Sequence, residues 1–168
     1  MKGSKTDLSH RDELVNAVTK HLSNGSYTVE FREPYLVELT FHTPVKLLGQ
    51  LVQVKEFLSI SERDLRCIAV MPFSVRDDSK KPLAAEYLSR VNWHLQTGWF
   101  AMDYSDGEVR ACMERSHVDS LPTEADFRML VMAPVTLVSQ YMAGLILTIQ
   151  DSGTPKENAE RFTPDALK

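Results

Sequence analysis

From Met129 to Ile149 the chain carries no charged residue. A run of about 20 uncharged, mostly apolar residues can cross a hydrocarbon core as one helix. It can equally form a helix that is apolar nearly all round because protein covers it on most sides. Pro134, Thr136, Ser139, Gln140 and Thr148 interrupt the run through its middle, and its flanks hold neither a basic cluster nor paired aromatic belts. The sequence therefore predicts a long helix held between a sheet and a partner rather than a membrane span. Thr123 offers an N-cap hydroxyl and Asp126 the acidic half of a capping box, so the helix is predicted from there to about Gln150, kinked at Pro134.

The rest of the chain supplies the sheet. A first helix is predicted over His10 to Leu22, capped by Ser9 with Asp12 and ended by Asn24-Gly25. Strict alternation follows: Tyr27, Val29 and Phe31, then Tyr35, Val37, Leu39 and Phe41 after the Glu33-Pro34 break. A third run places Val52, Val54, Leu58 and Ile60 on one face. The fourth, Leu65 to Phe73, is apolar on both faces and predicts a central strand covered on both sides. Pro82 suits the first turn of a second helix, on which Ala84, Tyr87, Leu88, Val91 and Leu95 share a face and Trp93 points away. Phe100 and Met102 then alternate towards an Asp106-Gly107 turn, and Val109, Ala111 and Met113 return.

This order predicts an α+β fold, α-β-β-β(-β)-α-β-β-α, with helices on a mostly antiparallel sheet. A single domain is expected over 9–150, followed by a flexible polar tail over 151–168. At 168 residues, with 43% hydrophobic and 25% charged residues, the chain can bury a core of its own. Met1 to Leu8 is polar, without the apolar stretch of a secretory signal, and a cytoplasmic location is expected.

Chemistry is harder to find. A net charge of −4 argues against a nucleic-acid footprint, which needs clustered Lys and Arg. The five histidines lie singly, without the spacing that aligns two metal ligands, and no P-loop, GxGxxG or GxSxG element is present. Neither metal, cofactor nor catalytic centre is expected. Cys67 and Cys112 read as buried reduced thiols, with a disulfide between them the alternative. Methionines at helical and strand spacing read chiefly as core filling and secondarily as an adaptable surface. Trp93 and Trp99 both project off the inferred core faces, and tryptophan is enriched at interface hot spots.

The ordered segments Val70-Met71-Pro72, Leu88-Ser89-Arg90-Val91-Asn92, Gly98-Trp99-Phe100-Ala101-Met102-Asp103 and Asp106-Gly107-Glu108-Val109, followed by the long helix, resemble the YbjN family of bacterial sensory-transduction regulators. Trp99 stands where the family pattern allows a variable residue, and the strand before Pro82 is additional. The resemblance implies a fold akin to the class I chaperones of type III secretion, often dimeric and without a known enzymatic centre. It points to a non-enzymatic regulator or chaperone-like adaptor that binds a protein partner, with Trp93, Trp99 and Phe100 as partner-binding candidates. The alternative is a small-ligand module or enzyme with a pocket between the last helix and the sheet, using His94, Asp103 and Tyr104. Peripheral membrane association through the last helix is a third, weaker reading.

Overall fold

The computed structural model describes residues 9–23, 27–41, 45–47, 50–118 and 120–165, with backbone alone for 45–47 and 50–51. The Asn24-Gly25 helix stop lies outside them. Helix α1 (His10–Leu22) begins with the expected reciprocal cap: the Ser9 hydroxyl accepts from the Asp12 N–H and the Asp12 carboxylate accepts from the Ser9 N–H. Leu14, Val18 and Leu22 form its buried stripe. Three side chains anchor α1 to the rest of the fold. His10 Nε2 lies 2.6 Å from the His117 carbonyl, Arg11 donates to the Ile60 carbonyl and stacks over Tyr35, and His21 stacks on Phe127.

Six strands build one antiparallel sheet: β1 (Tyr27–Glu33), β2 (Leu36–Phe41), β5 (Lys55–Ile60), β6 (Asp64–Ser74), β7 (Trp99–Met102) and β8 (Glu108–Ser116). Their spatial order is β1-β2-β5-β6-β8-β7. Between β2 and β5 a separate hairpin, β3 (Val45–Leu47) with β4 (Gln50–Val52), was not anticipated; it lies beside the long helix. Alternation sends Val37, Leu39, Leu58, Ile60, Leu65, Cys67, Ala69, Val109, Ala111 and Met113 into one core. Gly107 closes the β7–β8 turn at φ 75°, where a side chain would also collide with the Val75 backbone.

Helix α2 (Lys81–His94) connects β6 to the edge strand β7, with Pro82 in its first turn. Helix α3 (Glu124–Ile149) carries the Thr123–Asp126 capping box and runs through Pro134. By length and hydropathy α3 would serve as a span, yet 56% of its most apolar stretch is buried inside the protein. The sheet covers one side of it; α2 and α4 (Pro155–Phe162) cover another. The cover expected from a partner is thus supplied, over this side of the helix, by the chain itself.

Helix α4 corrects the expectation of a loose tail. Thr154 and Glu157 form a third capping box, Pro155 takes the first turn, and Asn158 and Ala159 are buried. The Asn158 amide donates to the Thr148 hydroxyl at 3.0 Å, tying α4 to α3. The seam depends on Gly144, where an added Cβ would overlap the Tyr87 hydroxyl and the Phe162 ring. Tyr87 donates to the Tyr141 carbonyl at 2.8 Å in the same seam.

Candidate functional site

The expectation for β6 needs correction, and the correction locates the candidate site. Its core-side residues are buried, but Ile68 and Val70 on the opposite face are only half-buried and Arg66 is exposed. Every described helix contributes to the core on the other side of the sheet. Among the described residues, nothing covers the outer face.

Strand register fixes what that face presents. Glu38 pairs with Phe57, Phe57 with Ile68, Ile68 with Cys112 and Cys112 with Trp99, one row running across five strands. Phe57, Ile68 and Trp99 are half-buried, so an apolar band crosses the sheet. The neighbouring rows carry Lys55, Val70 and Arg110 on one side and Ser59, Arg66 and Glu114 on the other. An apolar band between charged rows has the anatomy of a binding patch with a polar rim.

The charges on this face are organised in pairs. Glu38 is nearly buried at 7% exposure and takes Arg32 Nη2 at 2.7 Å and Lys55 Nζ at 3.0 Å. Hydrogen bonds from Arg32 and then Lys55 hold its carboxyl below the usual range. Arg66 lies with its guanidinium 5.7 Å from the Trp99 ring centre and 3.9 Å from the Glu114 carboxylate. Cys112 is 1% exposed on this face. Burial raises its thiol pKa, with Arg66 opposing.

Cys67 faces the core on the neighbouring strand, opposite Met113, so the two thiols point to opposite faces and both are free. The reduced reading holds, and the disulfide alternative is excluded by geometry. The methionines divide: Met71, Met113 and Met142 are buried, whereas Met129 and Met132 are about 40% exposed on α3.

The structure brings Trp93, Trp99 and Phe100 to one edge, with different fates. Trp93 on α2 is 86% exposed and Trp99 is half-buried on the outer face. Phe100 is 4% exposed and meets Tyr141 edge-on at 5.9 Å, so it belongs to the core and not to a contact surface. The residue that holds this edge together is Asn92. Its side-chain amide donates to the Phe100 carbonyl at 2.9 Å, and its oxygen accepts from the Phe100 N–H at 2.7 Å. A side chain bonded to backbone leaves no periodic signal, so the available signals were its place beside Trp93 and in the Leu88-Ser89-Arg90-Val91-Asn92 segment.

The polar trio of the alternative reading does not converge. His94 ends α2, whereas Tyr104 lies by its start, its carbonyl accepting from Lys81 Nζ at 2.7 Å. Thirteen helical steps of about 1.5 Å separate those ends by roughly 20 Å. Asp103 belongs to the hairpin turn, where the Ser105 hydroxyl and N–H lower its pKa. Between α3 and the sheet, Leu130, Val138, Tyr141, Met142 and Leu145 are fully buried. Among the described residues no cluster of metal-ligating side chains occurs.

No protein-family model, curated protein or solved structure matches the chain. The likeness to the YbjN family accordingly rests on the short ordered segments themselves.

One buried group escaped the sequence reading. Glu56 lies in phase with Leu58 and Ile60, faces the core at 0% exposure, and among the described residues finds no partner of good hydrogen-bond geometry, the Cys67 thiol only partly offsetting its burial. Cys67 is its polar neighbour, and burial pushes the carboxyl well above its usual range. The alternation itself, Val54-Glu56-Leu58-Ile60, was the available signal.

Proposed function

We propose that this protein is a non-enzymatic binding domain, a regulator or chaperone-like adaptor that captures a polypeptide partner and acts as a cytoplasmic homodimer. The observation that carries this reading is the half-buried band Phe57-Ile68-Trp99, crossing a sheet face that no described helix covers. Apolar surface on a sheet is normally paired with another layer. A row of partly exposed apolar side chains rimmed by charge has the anatomy of a protein contact.

Trp99 and Trp93 are the anchors of this reading, at one end of the band and on the adjoining helix. The YbjN-like segments agree with it, since they imply a partner-binding fold of the secretion-chaperone kind. The rival reading as a small-ligand module or enzyme has less support, because its polar residues lie at opposite ends of α2.

The test is capture of the native partner by wild type, Ile68→Lys, Trp99→Ala and Trp93→Ala, each checked for an unchanged melting temperature. Loss of capture in Ile68→Lys and Trp99→Ala is expected. Undiminished capture by both of these folded variants would refute the sheet-face assignment.

A further inference from the structure

The two edges of the main sheet are unlike. Asn92 occupies the backbone donor and acceptor of Phe100 on β7, while no described element packs against the outer edge of β1. The direction of the β1 backbone groups follows from the register. The Ile60 N–H donates to the Tyr35 carbonyl, so odd-numbered residues along β2 bond β5 and even-numbered ones bond β1. Glu38 pairs with Glu30 and Thr40 with Thr28, so Glu30 and Thr28 turn their backbone groups inward. Val29 and Phe31 therefore turn theirs to the open edge, and the Phe31 side chain is 48% exposed.

We infer that this edge pairs with β1 of a second copy, antiparallel about a two-fold axis through Phe31. This deepens the homodimer part of the function proposed above and rests on it. Phe31 then exchanges both backbone bonds with Phe31 of the second copy, and the two exposed rings meet as a cross-strand pair. The same register sets Glu30 across from Arg32 on both sides of the axis, Arg32 being the extra residue of the bulge between Phe31 and Glu33, without a Cα partner on β2. A register centred on Glu30 would oppose two glutamates, and one centred on Val29 would set Tyr27 opposite Phe31 but Thr28 opposite Glu30, with no ion pair. Within one chain Arg32 already bridges Glu30 at 2.7 Å and Glu38 at 2.7 Å, so one guanidinium serves two carboxylates. A second copy adds carboxylate and guanidinium in equal number. Charge complementarity thus selects a copy of this chain over an arbitrary extended peptide.

Sedimentation of the full chain, with Glu30→Arg and Arg32→Glu variants, tests this. Wild type is expected at about twice the 19.1 kDa chain mass. Each variant alone opposes like charges and should sediment as a folded monomer, and an equimolar mixture should recover the dimer because Arg then meets Glu in both pairs. Phe31→Cys should form an intermolecular disulfide under mild oxidation, since a hydrogen-bonded antiparallel pair sets the two Cα atoms about 5.5 Å apart. Val29→Cys should not. A wild-type monomer would overturn both this interface and the homodimer reading. A wild-type dimer that the charge variants leave intact, or that Phe31→Cys fails to cross-link, would overturn the β1 interface alone.

Discussion

Asn92 and Phe100 are joined as two neighbouring strands would be, the side-chain amide of one satisfying both backbone groups of the other at 2.9 and 2.7 Å. An unpaired strand edge invites unwanted pairing, and proteins cover such edges with helices or loops. Here one side chain from α2 does so, and it also fixes the helix against the edge.

Removing that amide leaves a part-buried N–H and C=O unpaired. Asn92→Ala is expected to lower stability by about 1–3 kcal/mol, read as a drop in the denaturation midpoint. Asn92→Asp should be intermediate, because a carboxylate can accept from the Phe100 N–H but cannot donate to its carbonyl.

Glu56 yields a prediction with a definite sign. Its folded-state pKa is raised by burial, so the folded protein keeps a proton that the unfolded chain releases. Its contribution is fully present below the ordinary value of 4.5 and is lost as pH rises through the folded pKa. Glu38, Asp103, Asp126 and Glu157, whose pKa values are lowered, act in the opposite sense. The comparison with Glu56→Gln isolates the effect. The variant should be more stable than wild type at pH 8, with the gap closing by at most about 1.4 kcal/mol per pH unit towards pH 5. Urea titrations at several pH values would read it, and a pH-independent gap would contradict the assignment.

At the α2–α3–α4 seam, Gly144→Ala should force Tyr87 and Phe162 apart. Overpacking of this kind costs about 1–3 kcal/mol. The loss should concentrate on α4, seen as faster amide exchange over Pro155–Phe162 than over the β6–β8 pair. Uniform destabilisation of the whole chain would contradict the view that α4 docks through this glycine.

How far the sequence carried these conclusions depends on the kind of signal. Helices α1 and α3 were legible because Ser9 with Asp12 and Thr123 with Asp126 mark their starts and apolar periodicity marks their lengths. Helix α4 has the same mark in Thr154, Pro155 and Glu157, but its polar surface outweighed that cap. The double-sided apolarity of β6 was read as burial on both faces, whereas it provides the half-buried band. Trp93 was correctly placed away from the core stripe. Strand alternation already sets Phe100 on the face opposite Trp99, so the pattern itself spoke against Phe100 as a contact residue. Asn92 carries no pattern at all, since its partner is backbone.

The covered edge of β7 also sets a limit on growth. In the language of polymer chemistry, a sheet with one reactive end is a chain terminator: two such units can join and then nothing is left to add. A sheet with both ends reactive is a monomer for a fibre. By this count the Asn92 carboxamide, seated on the Phe100 N–H and C=O, favours a closed pair over an open-ended ribbon.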